Sequence, residues 1–278
     1  MNFSTDSNST LLVHVTGIYR FWPIWTAALT GEILLGLPIN VYVLWMIVNS
    51  AGATVATEIF ALNLSVSEII FCLSAALKML SIYLPVKSVA LTSVGWFSLG
   101  SIFTSRPVFQ CCICVERYLA VVHPVTFLKY RPLRYRLACS GLAWLIVLGF
   151  CLRYGLLADI RPPTAYLFLG FTLVVFSVML FCCLAVLRAL KRPRPGDGDR
   201  EGTDGVKTKA FRIISVILVT MVINYLPMLI LIPFEQNFDG DYIYLAIALF
   251  VVFMVVTGFV QPLLFLHKAG KLPCICSP

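Results

Sequence analysis

The stretch SIFTSRPVFQCCICVERYLAVVHP, from Ser101 to Pro124, is apolar for much of its length, yet it carries Arg106 and Pro107 at its middle and Glu116-Arg117-Tyr118 near its end. What a guanidinium does in such a run depends on the solvent around it. The rest of the chain identifies that solvent: 60% of its 278 residues are hydrophobic and 12% are charged, where a soluble domain carries about a quarter charged. This composition belongs to a membrane protein.

Working outward from Ser101–Pro124, a window of about 19 residues finds seven apolar segments. They lie near 22–48, 57–84, 89–118, 136–158, 164–188, 210–234 and 242–266. Each is long enough to cross roughly 30 Å of hydrocarbon at about 1.5 Å per residue. The alternation of a closed β-barrel is absent from the sequence. The expected fold is therefore an all-α membrane protein, a seven-transmembrane helix bundle. Its parts are a tail over 1–21, the transmembrane domain over 22–267 and a short tail over 268–278.

Charge sets the orientation. Arg117, Lys129, Arg131, Arg134 and Arg136 cluster between spans three and four. Arg188, Lys191, Arg192, Arg194, Arg200, Lys207, Lys209 and Arg212 surround the connection between spans five and six, and Lys268 and Lys271 follow span seven. These are most of the 21 basic residues. The positive-inside tendency puts that side in the cytoplasm and the N-terminus outside, as in a multi-pass plasma-membrane protein. An anionic inner leaflet accounts for the net charge of +8 without a nucleic-acid partner.

Asn2 and Asn8 open sequons on the expected outer tail and are glycosylation candidates. A third match, at Asn63, falls inside span two and is expected to be chance. Of the ten cysteines none lies in an expected outer loop, so no structural disulfide is expected. The terminal Cys274 and Cys276 are palmitoylation candidates. His14, His123 and His267 lie far apart, and neither a phosphate loop nor a metal-ligand spacing is present. Nothing here points to an enzyme, a cofactor or a bound metal.

Glu116-Arg117-Tyr118 followed by LAVVHPV resembles the end of the third span and the second inner loop of rhodopsin-like (class A) G-protein-coupled receptors. Other spans agree in order: GEILLGLPIN ending at Asn40, NLSVSE with Glu68 for the usual Asp, Trp144 in span four, NYLP with Tyr225 and Pro227, and QPLLF with Gln261, Pro262 and Phe265. Tyr-x-Pro in span six and the second inner loop lean toward the nucleotide, lipid and protease-activated branch. The chain departs from the pattern at the top of span three, near Thr92, where the usual Cys is missing. Span five also lacks its usual proline, and span seven has no lysine for a retinal Schiff base.

The resemblance implies a receptor that binds an extracellular ligand and activates a heterotrimeric G protein. Arg117 would be the switch arginine held at rest by Glu116, and Val125 after Pro124 the apolar loop residue that meets the G protein. Lys207 stands where many relatives carry a restraining acid, which implies raised basal activity. The alternative is a non-signalling seven-helix protein, a decoy or a partner subunit. On the outer side, Lys78, Arg153 and Tyr225 are the ligand candidates, and the two cations suit an anionic ligand. Snorkelling to headgroups explains those cations equally well.

Arg106 lies eleven residues before Arg117, about 16 Å along span three. Glu68 lies ten residues beyond Glu58, about 15 Å along the antiparallel span two. Opposite charges at one depth on neighbouring helices are expected to pair, because an unpaired charge at bilayer depth costs at least about 2.5–3.5 kcal/mol. In the resembled family, Glu68's position is the acid of a sodium pocket that Arg106's position also lines. The guanidinium would then take the ion's place. Agonist binding measured in sodium chloride and in a chloride salt of a bulky organic cation is expected to superimpose; a sodium-dependent shift would contradict this substitution.

Overall fold

The computed structural model describes residues 21, 23–50, 58–83, 89–157, 162–191, 201–231, 233 and 240–268. They form a bundle of seven spanning helices. α1 runs over Pro23–Val48, and α2 over Ile59–Tyr83, α3 over Val89–Val122, and a short α4 over Pro124–Tyr130 follow. α5 (Leu133–Leu157), α6 (Pro162–Lys191) and α7 (Glu201–Leu231) are the next spans. The seventh span is made of α8 (Gly240–Gly258) and α9 (Val260–Lys268), with a turn at Phe259 between them. Asn2, Asn8, Cys274 and Cys276 lie outside the described residues.

Helices are the form these segments must take. Hydrocarbon offers no partner to a backbone N–H or C=O, so each segment has to satisfy its own. Among the described residues six helical stretches, all the spans but α3, are long and apolar enough to cross a membrane. α3 has the length, 34 residues, but Ser101, Thr104, Ser105, Arg106 and Gln110 dilute its apolar character. All five are buried. α3 tolerates them because it is the central helix, packed against α2, α5 and α6.

The bundle is turned outside-in relative to a soluble protein. Leu34, Trp45, Leu142, Leu145, Val174 and Phe181 are exposed on its perimeter, while Glu32, Glu68, Arg106, Gln110 and Asn224 are buried. Four apolar clusters hold the helices around this polar axis. One joins Cys114 of α3, Met179 and Cys183 of α6 and Met221 of α7. Another joins Phe71 of α2 to Phe250 and Met254 of α8. A third packs Phe109 of α3 against Val147 of α5, and the fourth packs Val43 and Ile47 of α1 on Leu266 of α9. The eight described cysteines are all free thiols.

Asn63 has a structural task that its sequon disguises. The Trp144 indole N–H donates to Asn63 Oδ1 over 2.8 Å, and Asn63 Nδ2 donates to Ser140 Oγ at 3.2 Å. α2 is thereby fastened to α5, and the Trp144 ring meets Phe109 edge-on with centroids 5.3 Å apart. Trp144→Phe keeps the ring contact but strands the Asn63 oxygen. It is expected to cost about 1–3 kcal/mol, read as a lowered thermal unfolding midpoint of the purified protein in lipid nanodiscs.

Candidate functional site

The polar axis has its centre at Arg106, whose side chain the structure brings onto Glu68. Nε donates to Glu68 Oε1 at 2.6 Å and Nη2 to Oε2 at 2.7 Å, a two-pronged arginine–carboxylate contact. Nη1 donates to the main-chain carbonyl of Met254 on α8. Arg106 is 1% exposed and Glu68 4%. Three helices, α2, α3 and α8, therefore meet at one guanidinium.

A third ionisable group stands beside them. Glu32 of α1 is 1% exposed, and its Oε1 lies 3.6 Å from Arg106 Nη2. Motif and depth reasoning misses Glu32, although a carboxylate inside an apolar run is as anomalous as the arginine it faces. The local backbone is unusual too: Glu32–Gly36 forms a single π-helical stretch, in which the Leu37 N–H reaches back to the Glu32 carbonyl. Pro38 explains the widening, since it lacks an N–H and its ring crowds the carbonyl four residues before it. The Cys72 thiol also donates to the Glu32 carbonyl, at 3.7 Å.

Two glycines make room for this cluster. A Cβ on Gly258 of α8 would lie 2.7 Å from Arg106 Nη2, and one on Gly36 would lie 2.8 Å from Glu32 Oε1. Neither position accepts a side chain without moving a charged group off its partner.

The axis continues along α3. Gln110, one turn beyond Arg106, accepts a hydrogen bond from the Tyr225 hydroxyl of α7 at 3.2 Å. Thr257 of α8 donates to Asn224 Oδ1 of α7 at 2.7 Å. A cavity of about 90 Å³ runs from Glu68 and Arg106, past Asn40 and Gln261, to Glu116 and Arg117. It has room for water. The buried ion pair thus communicates with the basic end of the bundle.

At that end Arg117 is exposed on α3 and lines the mouth of the cavity. The Glu116 carboxylate expected to hold it is engaged by Arg136 of α5, with Nη2 and Oε1 2.5 Å apart. The sequence marks Arg136 only as part of the basic cluster. Its position at the start of α5, back across the loop, gives it this reach. The Arg136 guanidinium also sits over the Phe127 ring of α4, 5.8 Å from the centroid. The Tyr118 hydroxyl and His123 Nε2, at the entry to α4, are 3.0 Å apart. Pro124 starts α4. Held at its entry and at its middle, α4 presents Val125, which is 81% exposed.

The remaining expected residues are dispersed. Pro227 lies within α7 and Pro262 within α9, where it lines the cavity. Tyr225 is buried, its hydroxyl already engaged by Gln110. Arg153 is half-buried near the end of α5, and of Lys78 only the backbone, helical in α2, is described. Arg153 and Tyr225 are not among the described residues that line the cavity.

Residues 39–165 match the family described as 7 transmembrane receptor (rhodopsin family). The chain is 29% identical to mouse G-protein coupled receptor 35 over 85% of its own length and 78% of the relative's. It is 27% identical to a human purinoceptor, over 74% and 68% of the two chains. With human proteinase-activated receptor 3 the identity is 25%, over 68% and 55%.

Gly258→Ala tests the central contact directly. Overpacking of a tight site costs typically about 1–3 kcal/mol, and here the displaced atom belongs to a buried guanidinium. Reduced thermal stability in nanodiscs is expected, with Gly170→Ala, where a Cβ meets no atom within 4 Å, as the neutral control.

Proposed function

Because the chain belongs to the rhodopsin-like seven-transmembrane receptors, we propose that it takes up an extracellular ligand and promotes nucleotide exchange on a heterotrimeric G protein. The observation that carries this reading is the arrangement of the basic end. Arg117 is exposed at the mouth of the cavity that reaches the buried ion pair, and α4, tied down by Arg136 and by Tyr118 with His123, holds the apolar Val125 out into solvent. A charged donor beside a fixed apolar knob suits the docking of an amphipathic helix end.

In this reading that end faces the cytoplasm at the plasma membrane. The tail bearing Asn2 and Asn8 lies outside as a glycosylation substrate, and Cys274 and Cys276 are acyl acceptors at the inner leaflet. Glu116, shared with Arg136, sets the resting position of Arg117, and Tyr118 holds the loop. Pro227 and Pro262 place the bends that let α7 and the seventh span move. Arg106 stands where a sodium ion would otherwise sit against Glu68.

On the ligand side, Lys78 and Arg153 favour an anionic molecule, with Tyr225 closing the floor through Gln110. The relatives' names, a purinoceptor and a proteinase-activated receptor, span unlike ligands, so the anion preference rests on this chain's own cations.

Nucleotide exchange on a panel of purified heterotrimeric G proteins, with the receptor in nanodiscs, tests the proposal. Exchange above the protein-free rate is expected for at least one member even without ligand. Arg117→Ala should abolish it, and Val125→Asp should reduce it at least about tenfold, the loss of roughly 1.4 kcal/mol of docking energy. Silence across the whole panel would favour a non-signalling partner or decoy.

A further inference from the structure

The central cluster does not balance. Glu32 and Glu68 bring two carboxylates against the single guanidinium of Arg106, so with all three ionised the cluster carries one surplus negative charge. Glu68 uses both oxygens on the arginine, whereas Glu32 reaches it with Oε1 alone, at 3.6 Å. Glu32 Oε2 is buried and has no hydrogen-bond partner among the described residues. The described groups facing Glu32 do not supply the missing positive charge. α2 contributes Glu68 and the Cys72 thiol and α3 contributes Arg106, while α8 meets the other side of that guanidinium with the Met254 carbonyl and Gly258, which are uncharged. On α7 the Tyr225 phenol is bonded to Gln110, one turn from Arg106, and is likewise uncharged.

An ionised carboxylate with a stranded oxygen in a medium this apolar neutralises itself rather than bear the desolvation cost. A neutral carboxyl with one unpaired oxygen costs far less by comparison. The cavity that touches Glu68 and Arg106 does not include Glu32 in its lining, so solvent does not relieve it from that side. Nor does a metal-ion reading fit, because a single stranded oxygen falls short of the six or more that hard cations such as calcium or magnesium gather.

We propose that Glu32 is a proton-binding site, holding a proton while Arg106 rests on Glu68 and giving it up when Arg106 turns to Glu32. The cluster then keeps one anion for one cation in either arrangement. Its two arrangements hold the same number of protons and differ in which carboxyl carries the proton, so the position of Arg106 is tied to the place of that proton and not to bulk pH. No bond other than O–H is made or broken: the proton leaving one carboxyl is taken by the other. The proposal does not depend on G-protein coupling.

The test is infrared spectroscopy of the purified full-length protein in nanodiscs at neutral pH, together with thermal unfolding. The parent is expected to show the carbonyl-stretch band of a protonated carboxylic acid, lost in Glu32→Gln, with the unfolding midpoint of that variant unchanged. In Glu68→Gln, Arg106 has only Glu32 to turn to, so the band should be lost there as well. The double variant leaves the guanidinium with no anion and should unfold about 5–10 °C lower than either single variant. The idea is overturned if the parent lacks the band, if Glu32→Gln retains it, or if Glu68→Gln retains it. It is equally overturned if Glu32→Gln, which swaps a neutral acid for a near-isosteric amide, unfolds as readily as the double variant or fails to reach the membrane.

Discussion

One constraint organises this protein: a guanidinium in the middle of a bilayer has to be surrounded by acceptors that the fold itself provides. Arg106 finds two carboxylate oxygens on α2, a main-chain carbonyl on α8 and a second carboxylate on α1. Four of the seven spans are thus fixed in register by one side chain. The π-helical stretch in α1, the two glycines and the break after Gly258 all lie against this cluster. With Pro107 inside α3 next to the arginine, they depart locally from ideal helix, as expected where backbone is bent to serve a site.

Polar residues along α3 extend the same logic toward the basic end. Arg106, Gln110 and Arg117 line one continuous cavity on that helix. The contact of Tyr225 with Gln110 brings α7 into the axis. A displacement of the central guanidinium therefore has a physical route to Arg117, along a cavity lined by both polar and apolar side chains. Such a route is a geometric statement, and its energetic weight is a matter for coupling measurements.

Much of this is legible in the residues. Span lengths follow from the thickness of hydrocarbon, and the common depth of Glu68 and Arg106 follows from counting at a fixed rise per residue. Other parts are hidden for identifiable reasons. Glu32 lies in a run whose spacing is disturbed by Pro38, and the extra residue of the π stretch turns its side chain inward. The bond between Glu116 and Arg136 joins residues across a loop, where neither periodicity nor depth says which of several nearby arginines arrives. The Asn63 clamp is masked by a sequon match of the right letters in the wrong solvent. α3 shows the limit of hydropathy itself: a spanning helix shielded by its neighbours need not be apolar.

Gly258 carries a last consequence. With no room for even a methyl group between its backbone and Nη2 of Arg106, positions 258 and 106 constrain each other. A side chain at 258 pushes the guanidinium off its acceptors, and a shorter residue at 106 relieves that pressure. With the arginine shortened, two acids would face each other with space between them. The glycine is thus what lets this chain carry a tethered cation where a mobile ion would otherwise fit.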